Sequence, residues 1–332
     1  MLLKVFRGTG PGVVFLIFLV AVAVWASALF EPRLASSFHY DINPMPLYAL
    51  LKSLTGKSAF AGTIVSFLLV LFMAILLVNF NTTVFFINER TFLPALIFVL
   101  FSGLFPYNQV LNPVLPAAIL LMISIIRIME AYRKNGTAFN FFDASVLIGI
   151  GSLFYANLIW FGLLAIIGIA ILRTGNFKEI VLAILGLCTP VIITIGIYYV
   201  AGRDLQNLAS VTLYNLFGET GSYYFSRITI TGLVILGLSV FVSLFYLFSV
   251  VNSKKIKSRK TFTELTWTFI ISIVVFFSLP SASVELIFIG TIPISYFLAH
   301  YFVFSRNKVM PELFFSAMFL IVAVIQVLFI RL

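Results

Sequence analysis

The sequence predicts an all-α, polytopic integral membrane protein: a single domain over residues 1–332 with about eleven transmembrane helices. Three observations carry that prediction. The 332 residues are 62% hydrophobic and 10% charged, with a mean hydropathy of +1.15, whereas a soluble domain is roughly 45–50% apolar and about 25% charged. The excess falls into apolar runs, and a run of ~20 residues spans a ~30 Å hydrocarbon core as a helix. The positive charges stand between the runs and concentrate in alternate gaps, the pattern of a chain with a fixed orientation in the bilayer.

Spans are predicted at about 11–30, 60–80, 92–106, 113–129, 141–156, 157–172, 179–200, 228–251, 262–279, 285–304 and 312–330. Lys4 and Arg7 precede the first run, Val13 to Phe30. That run is longer than the apolar core of a signal peptide and more spans follow it, so it reads as a retained anchor. One continuous helix over 141–172 would reach ~48 Å at 1.5 Å per residue, too long for the hydrocarbon core. A turn near Tyr155–Asn157 is therefore expected. Charge supports it: with eleven spans and a cytoplasmic N-terminus, only Arg33, Lys52, Lys57, Arg203, Arg227 and Arg331 of the 21 lysines and arginines face outward. Merging the pair would move the Lys254–Lys260 cluster, Arg306 and Lys308 to the outer side, against the positive-inside rule. The C-terminus then lies outside.

Short loops remain, so the sequence predicts no extramembrane domain. The basic inner loop is 252–261. Two outer loops, about 31–59 and 201–227, are long enough to carry function. In the first, Leu47, Leu50, Leu51 and Leu54 at helical spacing predict an amphipathic helix over Pro46–Thr55 lying on the membrane surface. In the second, Leu205, Leu208, Leu213 and Leu216 predict another such segment, with Tyr198, Tyr199, Tyr214, Tyr223 and Tyr224 as an aromatic belt. No fixed-period repeat and no low-complexity segment is present.

The net charge of +10 flanks apolar runs, which reads as orientation and attraction to anionic headgroups and not as nucleic-acid binding. Two histidines and one cysteine, Cys188, cannot build a Cys/His zinc site or a histidine-rich iron site. No Ser/His/Asp set and no phosphate-cradling glycine loop is evident. The spans lack the carboxylate or basic ladder of a proton-driven pump. Gly149, Gly151, Gly162 and Gly168 read as close helix packing.

Asp41, in His39-Tyr40-Asp41-Ile42-Asn43-Pro44, is the carboxylate singled out. At a membrane surface it can act as a general base or hold a divalent cation on a phosphate; the same motif is also good turn chemistry. Arg203 and Arg227, with His39, are candidate phosphate-binding residues, since arginine suits phosphate recognition. Asp204 and Glu219 flank them in a loop that also reads as a solvated edge. Glu89 and Arg90, in a very short inner loop, can pair or bind a headgroup, or simply anchor a turn. Glu285 stands near the outer end of its span and fits either a functional role or the first turn of a helix. His300 stands toward the inner end of the same span, and Asp143 opens another.

The chain resembles an uncharacterised family of multi-span inner-membrane proteins of Bacteroidota. The resemblance rests on Val5-Phe6-Arg7-Gly8-Thr9-Gly10-Pro11, on Val84 to Pro94 and on Leu153 to Phe161, and implies no particular activity. A second resemblance is architectural. Like GT-C glycosyltransferases, which use polyprenyl-phosphate-linked sugars, the chain has an acidic residue just past its first span, interfacial segments in the outer loop and paired short spans mid-chain. It departs in having a lone Asp41 in place of an acidic pair, a short first loop and no soluble C-terminal domain. The resemblance implies a role in envelope glycan or lipid assembly at the outer face of the bacterial inner membrane, with the bilayer and a polyprenyl-phosphate-linked lipid as partners. The alternatives are a non-enzymatic scaffold or assembly partner and, third, a transporter.

Overall fold

The computed structural model describes residues 2–32, 39–56, 58–84, 87, 89–133, 138–172, 177–219 and 227–330. Arg33, Lys57, Tyr223, Tyr224 and Arg331, named above from sequence, lie outside them, as does the side chain of His39. The described chain is all helical. In order it runs α1 (Leu2–Phe6), α2 (Pro11–Val24), α3 (Ala26–Phe30), α4 (His39–Ile42), α5 (Pro46–Thr55), α6 (Ala59–Val84), α7 (Leu93–Ser102) and α8 (Val114–Glu130). It continues with α9 (Ala138–Ser152), a 3-10 helix (Ala156–Gly162), α10 (Leu163–Leu172), α11 (Phe177–Val200), α12 (Leu205–Phe217) and α13 (Arg227–Val250). After a short 3-10 turn at Val251–Ser253 come α14 (Ile256–Ser278), a turn at Val284–Leu286, α15 (Ile287–Phe304) and α16 (Val309–Ile330).

Six helical segments among the described residues are long and apolar enough to cross a membrane: Ala59–Val84, Phe177–Val200, Arg227–Ser253, Ile256–Ser278, Val284–Phe304 and Val309–Phe329. With this composition they make the chain a multi-pass membrane protein. The expected count of about eleven membrane-length helices is thus corrected. The other five predicted spans fold as shorter helices: α2 with α3, α7, α8, α9, and the 3-10 helix with α10. Hydropathy counts apolar residues and not unbroken helix. Gly103, Pro106 and Pro113 interrupt the stretch between α7 and α8, and α9 stops at Ser152 before the chain turns back at Tyr155.

Short helices survive here because protein, not lipid, surrounds them. Every residue of α7 is buried. The Val284–Phe304 window is 78% buried, and the Phe177–Val200 window only 17%. α7 and α15 therefore form the centre, and α11 the rim. Interrupted backbone within a membrane needs internal partners for its polar groups, and buried side chains supply them. Gln326 of α16 donates to Gly103 O (2.7 Å) and accepts from Ser27 Oγ (2.7 Å). Gln109 donates to Val24 O (3.0 Å), Ser66 to Val110 O (2.8 Å), and Trp25 to Ser102 Oγ (3.0 Å).

Between helices, close approach replaces a hydrophobic driving force, since lipid is as apolar as leucine. α9 packs most extensively on α11 and α8. A Cβ added at Gly149 would stand 2.7 Å from Leu187 O, one at Gly186 2.5 Å from Phe142 O, and one at Gly162 2.7 Å from a Leu187 methyl.

The two ends of the bundle differ in charge. At one end Arg7 donates to Val303 O (3.2 Å), the Lys254 ammonium lies 3.9 Å over the Phe304 ring, and Lys260 reaches Leu172 O (3.5 Å). Lys260 also lies over the Tyr132 ring, so the chain goes out along α9 and returns along α10, as the turn predicted near Tyr155–Asn157 requires. This is the lysine end. The opposite end carries α4, α5 and α12.

Replacing Gly186 with Val forces α9 and α11 apart and should cost ~1–3 kcal/mol, the usual penalty of overpacking. Gly196→Ala, on the same helix with nothing within 4 Å of its added Cβ, should be neutral or stabilise by up to ~1 kcal/mol. Thermal midpoints in detergent distinguish the two.

Candidate functional site

The helix expected over Pro46–Thr55 forms over those residues as α5, but its apolar face is divided. Tyr48 is fully buried and Leu51 packs beneath it, while Leu50 and Leu54 are exposed. The buried face brings three polar groups together. Lys52 Nζ lies 2.7 Å from Asp41 Oδ1. The Tyr48 hydroxyl stands 3.1 Å from the same oxygen and 3.2 Å from Leu111 O, sharing its one proton between them. Tyr48 and Lys52 are one helical turn apart, so both face α4. Asp41 Oδ2 is buried without a hydrogen-bond partner.

Electrostatically, burial dominates at Asp41 and pushes its carboxyl above the usual value, against the hydrogen bond and charge of Lys52 and the hydrogen bond of Tyr48. The Tyr48 hydroxyl is pushed well above its usual value by burial and then by the Asp41 charge. Asp41 Oδ1 already faces an ammonium, which repels a second cation. No group of three His, Cys, Asp or Glu side chains able to hold a metal stands among the described residues. This donor set does not fit a divalent cation.

Beside this cluster lies an apolar cavity of about 470 Å³. Its walls are Met45 and Pro46 at the start of α5, Ser152, Leu153, Ala156 and Ile159 at the α9 turn, Val191, Thr194 and Ile195 of α11, and Leu205, Leu208, Leu213 and Leu216 of α12. The four leucines read from sequence as one face of α12 all line it. The walls are tied to the Asp41 segment by backbone: Leu47 N donates to Leu153 O (3.0 Å), and Asn215 Nδ2 to Asn43 O (2.7 Å). Asn157, Ser281 and Leu216 O form a further hydrogen-bonded link at the same end.

The other candidates spread out. Arg203 is exposed and its guanidinium lies 5.5 Å from the Tyr198 ring centroid, two residues before cavity-lining Leu205. Gly202, with φ +64°, makes the left-handed turn into α12. Leu205 and Asn215 are ten residues apart on α12, about 15 Å, so Arg203 and Asp41 sit at opposite ends of the cavity. Arg227 opens α13 and is exposed; no contact joins it to Asp41. His39 opens α4. Asp204 caps α12, accepting from Gln206 N (2.8 Å). Glu219 and Asp143 are exposed.

Glu89 and Arg90 are exposed at the lysine end, where Asn81 Nδ2 donates to Glu89 O (3.1 Å). Glu285 is buried and accepts from Ser283 N (3.2 Å) and the Ser283 hydroxyl, a local cap ahead of α15. His300 is fully buried against Phe262, Tyr246 and Phe304.

Sequence reasoning missed Tyr48 and Lys52 as partners of Asp41. Their four-residue spacing was the available signal, but Lys52 was read only as a loop charge. It also missed Glu264, which lies two residues inside the span predicted at 262–279.

The raised Asp41 carboxyl has a pH consequence. The folded state holds this proton more tightly than the unfolded chain. The stability it contributes is full below the ordinary carboxyl value of 3.8 and is lost as pH rises through the raised value. Lys52→Met removes influences that lower it, so the loss should move to higher pH; Asp41→Asn should abolish it. Amide exchange across residues 40–55, followed against pH, checks both.

No curated protein and no solved structure shows significant similarity to the chain. A family model described as a family of unknown function, DUF6427, matches residues 45–332, from the start of α5 through α16. The chain, a multi-pass helical membrane protein, therefore belongs to the DUF6427 family.

Proposed function

We propose that this protein binds a lipid carrier at the outer face of the bacterial inner membrane and serves envelope glycan or lipid assembly in the manner of a GT-C-like glycosyltransferase. The apolar cavity between α5, the α9 turn, α11 and α12 carries this reading. It is lined by aliphatic side chains, exposed Leu205 and Leu213 among them, the setting for an isoprenoid or acyl tail entering from the bilayer. In this reading the six long helices and five broken ones make eleven passes. The lysine end is cytoplasmic by the positive-inside rule, and the N- and C-termini lie on opposite sides.

Arg203, at the Leu205 end of the cavity, binds the carrier phosphate. Arg203 is thus the first contact of the phosphate as the carrier enters; for transfer the phosphate–sugar bond lies about 15 Å further along α12, beside Asp41, which acts as general base on the acceptor hydroxyl once substrate draws Lys52 from it. Arg227 and His39 border the same loops as secondary anion contacts. A second reading, a non-enzymatic scaffold, is favoured by one observation: Asp41 Oδ1 is already engaged by Lys52 and Tyr48, as in a structural ion pair.

A photoactivatable polyprenyl-phosphate probe should label the wild-type protein on α12, and Ala209→Trp, which fills the cavity, should abolish labelling. In a strain dependent on this protein, Asp41→Asn should retain labelling but lower glycan assembly ~10²–10⁴-fold, the contribution of a general base. Full complementation by Asp41→Asn would select the scaffold, and undiminished labelling of Ala209→Trp would remove the carrier site.

A further inference from the structure

Glu264 stands on α14, eight residues past Ile256, about 12 Å along the helix from the lysine end. It is 1% exposed, and among the described residues neither carboxyl oxygen has a hydrogen-bond partner and no countercharge faces it. α14 packs on α15, α10 and the 3-10 segments Ala156–Gly162 and Val251–Ser253, and α10 and both 3-10 segments contain no titratable residue. On α15 the facing group is His300, which meets Phe262 at 5.2 Å, on the side of α14 turned away from Glu264.

The Glu264 carboxyl instead faces Gly168 of α10. A Cβ there would lie 3.7 Å from each of its oxygens and 2.5 Å from the Ile128 Cγ2 of α8. Beside Ile128, Arg127 and Glu130 are paired with each other at 3.0 Å and partly exposed. One turn before Ile128, Ser124 is fully buried with its hydroxyl unpartnered. On α14 itself Lys257 and Arg259 lie nearer the lysine end. Lys260 is one turn from Glu264 on the same face, but its ammonium is on Leu172 O, the last carbonyl of α10, at 3.5 Å.

A carboxylate with neither cation nor donor inside a membrane bundle is prohibitively costly, so the group carries its proton. We propose that Glu264 is a proton-binding site within the bundle, exchanging with the lysine end, and that Lys260 is the switch partner that takes over when the proton leaves. The neutral acid fits against Gly168 with α8, α10 and α14 closed. Released, the proton passes to water at the lysine end and leaves a carboxylate. The Lys260 ammonium, four residues away on one helix face, is placed to pair with it. To do so it leaves Leu172 O, uncapping α10 and loosening α10 from α14. Proton occupancy and helix packing are thereby linked.

Infrared spectroscopy of the full-length protein in nanodiscs tests this. Wild type should show the carbonyl stretch of a neutral carboxylic acid in mildly acidic buffer, lost reversibly in strongly alkaline buffer and absent in Glu264→Gln. Lys260→Gln should hold the band to higher pH, because the carboxylate loses its counter-ion. At one alkaline pH, amides in the last turn of α10 should exchange several-fold faster in wild type than in Glu264→Gln, the isostere of the neutral acid. Should that variant fail to fold, a lipophilic carbodiimide, which adds to neutral carboxylic acids, should modify Glu264 of the wild type in mild acid and not in alkali. No neutral-acid band, a band unmoved by alkali, equal exchange rates, or no carbodiimide adduct at Glu264 would each overturn the proposal.

Discussion

The requirement that every backbone polar group inside the bilayer find a protein partner governs this structure. A bundle of unbroken helices meets it without side chains. This chain breaks its backbone at 103–113 and again at 153–155, and so meets it with buried amides and hydroxyls. Gln326 serves Gly103 and Ser27 from a helix more than two hundred residues away in sequence. Gln109 closes Val24 O, and Ser66 closes Val110 O. These bonds hold the short α7 at the centre of the fold, where no residue of it reaches lipid.

The same breaks build the Asp41 end. Leu111 O, left free of helix by the first break, accepts from Tyr48 and so seats α5 on the bundle. Leu153 O, freed by the second, accepts from Leu47 N. Asn157, in the returning 3-10 helix, links Ser281 and through it the end of α12. The two breaks, with the Asn157–Ser281 link, thus position α5 and α12, and the apolar cavity is the space left between them. Pro190 contributes from the remaining side. It removes a backbone donor from α11, packs against Gly149 and precedes the cavity-lining Val191, Thr194 and Ile195.

Much of this was legible from sequence. The helical class, the α5 and α12 segments, the turn after α9 and the glycine contacts of α9 all follow from local patterns of hydropathy, spacing and size, which the folded state preserves. The number of membrane-length helices was not legible, because hydropathy measures apolar content and α7 and α10 are apolar without being long. Asp41 was recognisable as unusual, but its pairing with Lys52 depends on α4 folding back against α5, a tertiary fact. The amides of Gln109 and Gln326 gave no signal at all, since a lone glutamine in or beside an apolar run looks like noise until its distant partner carbonyl is known.

Asp41 and Glu264 show how position along the bundle decides what a buried carboxyl becomes. Both are almost wholly enclosed, the Asp41 side chain 7% and Glu264 1% exposed. Asp41 lies at an end, where a long side chain can bring its charge from water down an apolar surface. Lys52 does so, remaining 43% exposed while touching the carboxyl. Glu264 lies one turn deeper than the last lysine of its helix, and that lysine is held on the closing carbonyl of α10. An ion pair is thus formed at one site and withheld at the other by a single competing acceptor. That acceptor belongs to α10, a helix short enough for its C-terminus to lie within reach of Lys260. The broken architecture that solves the backbone problem therefore also leaves one acid without its base.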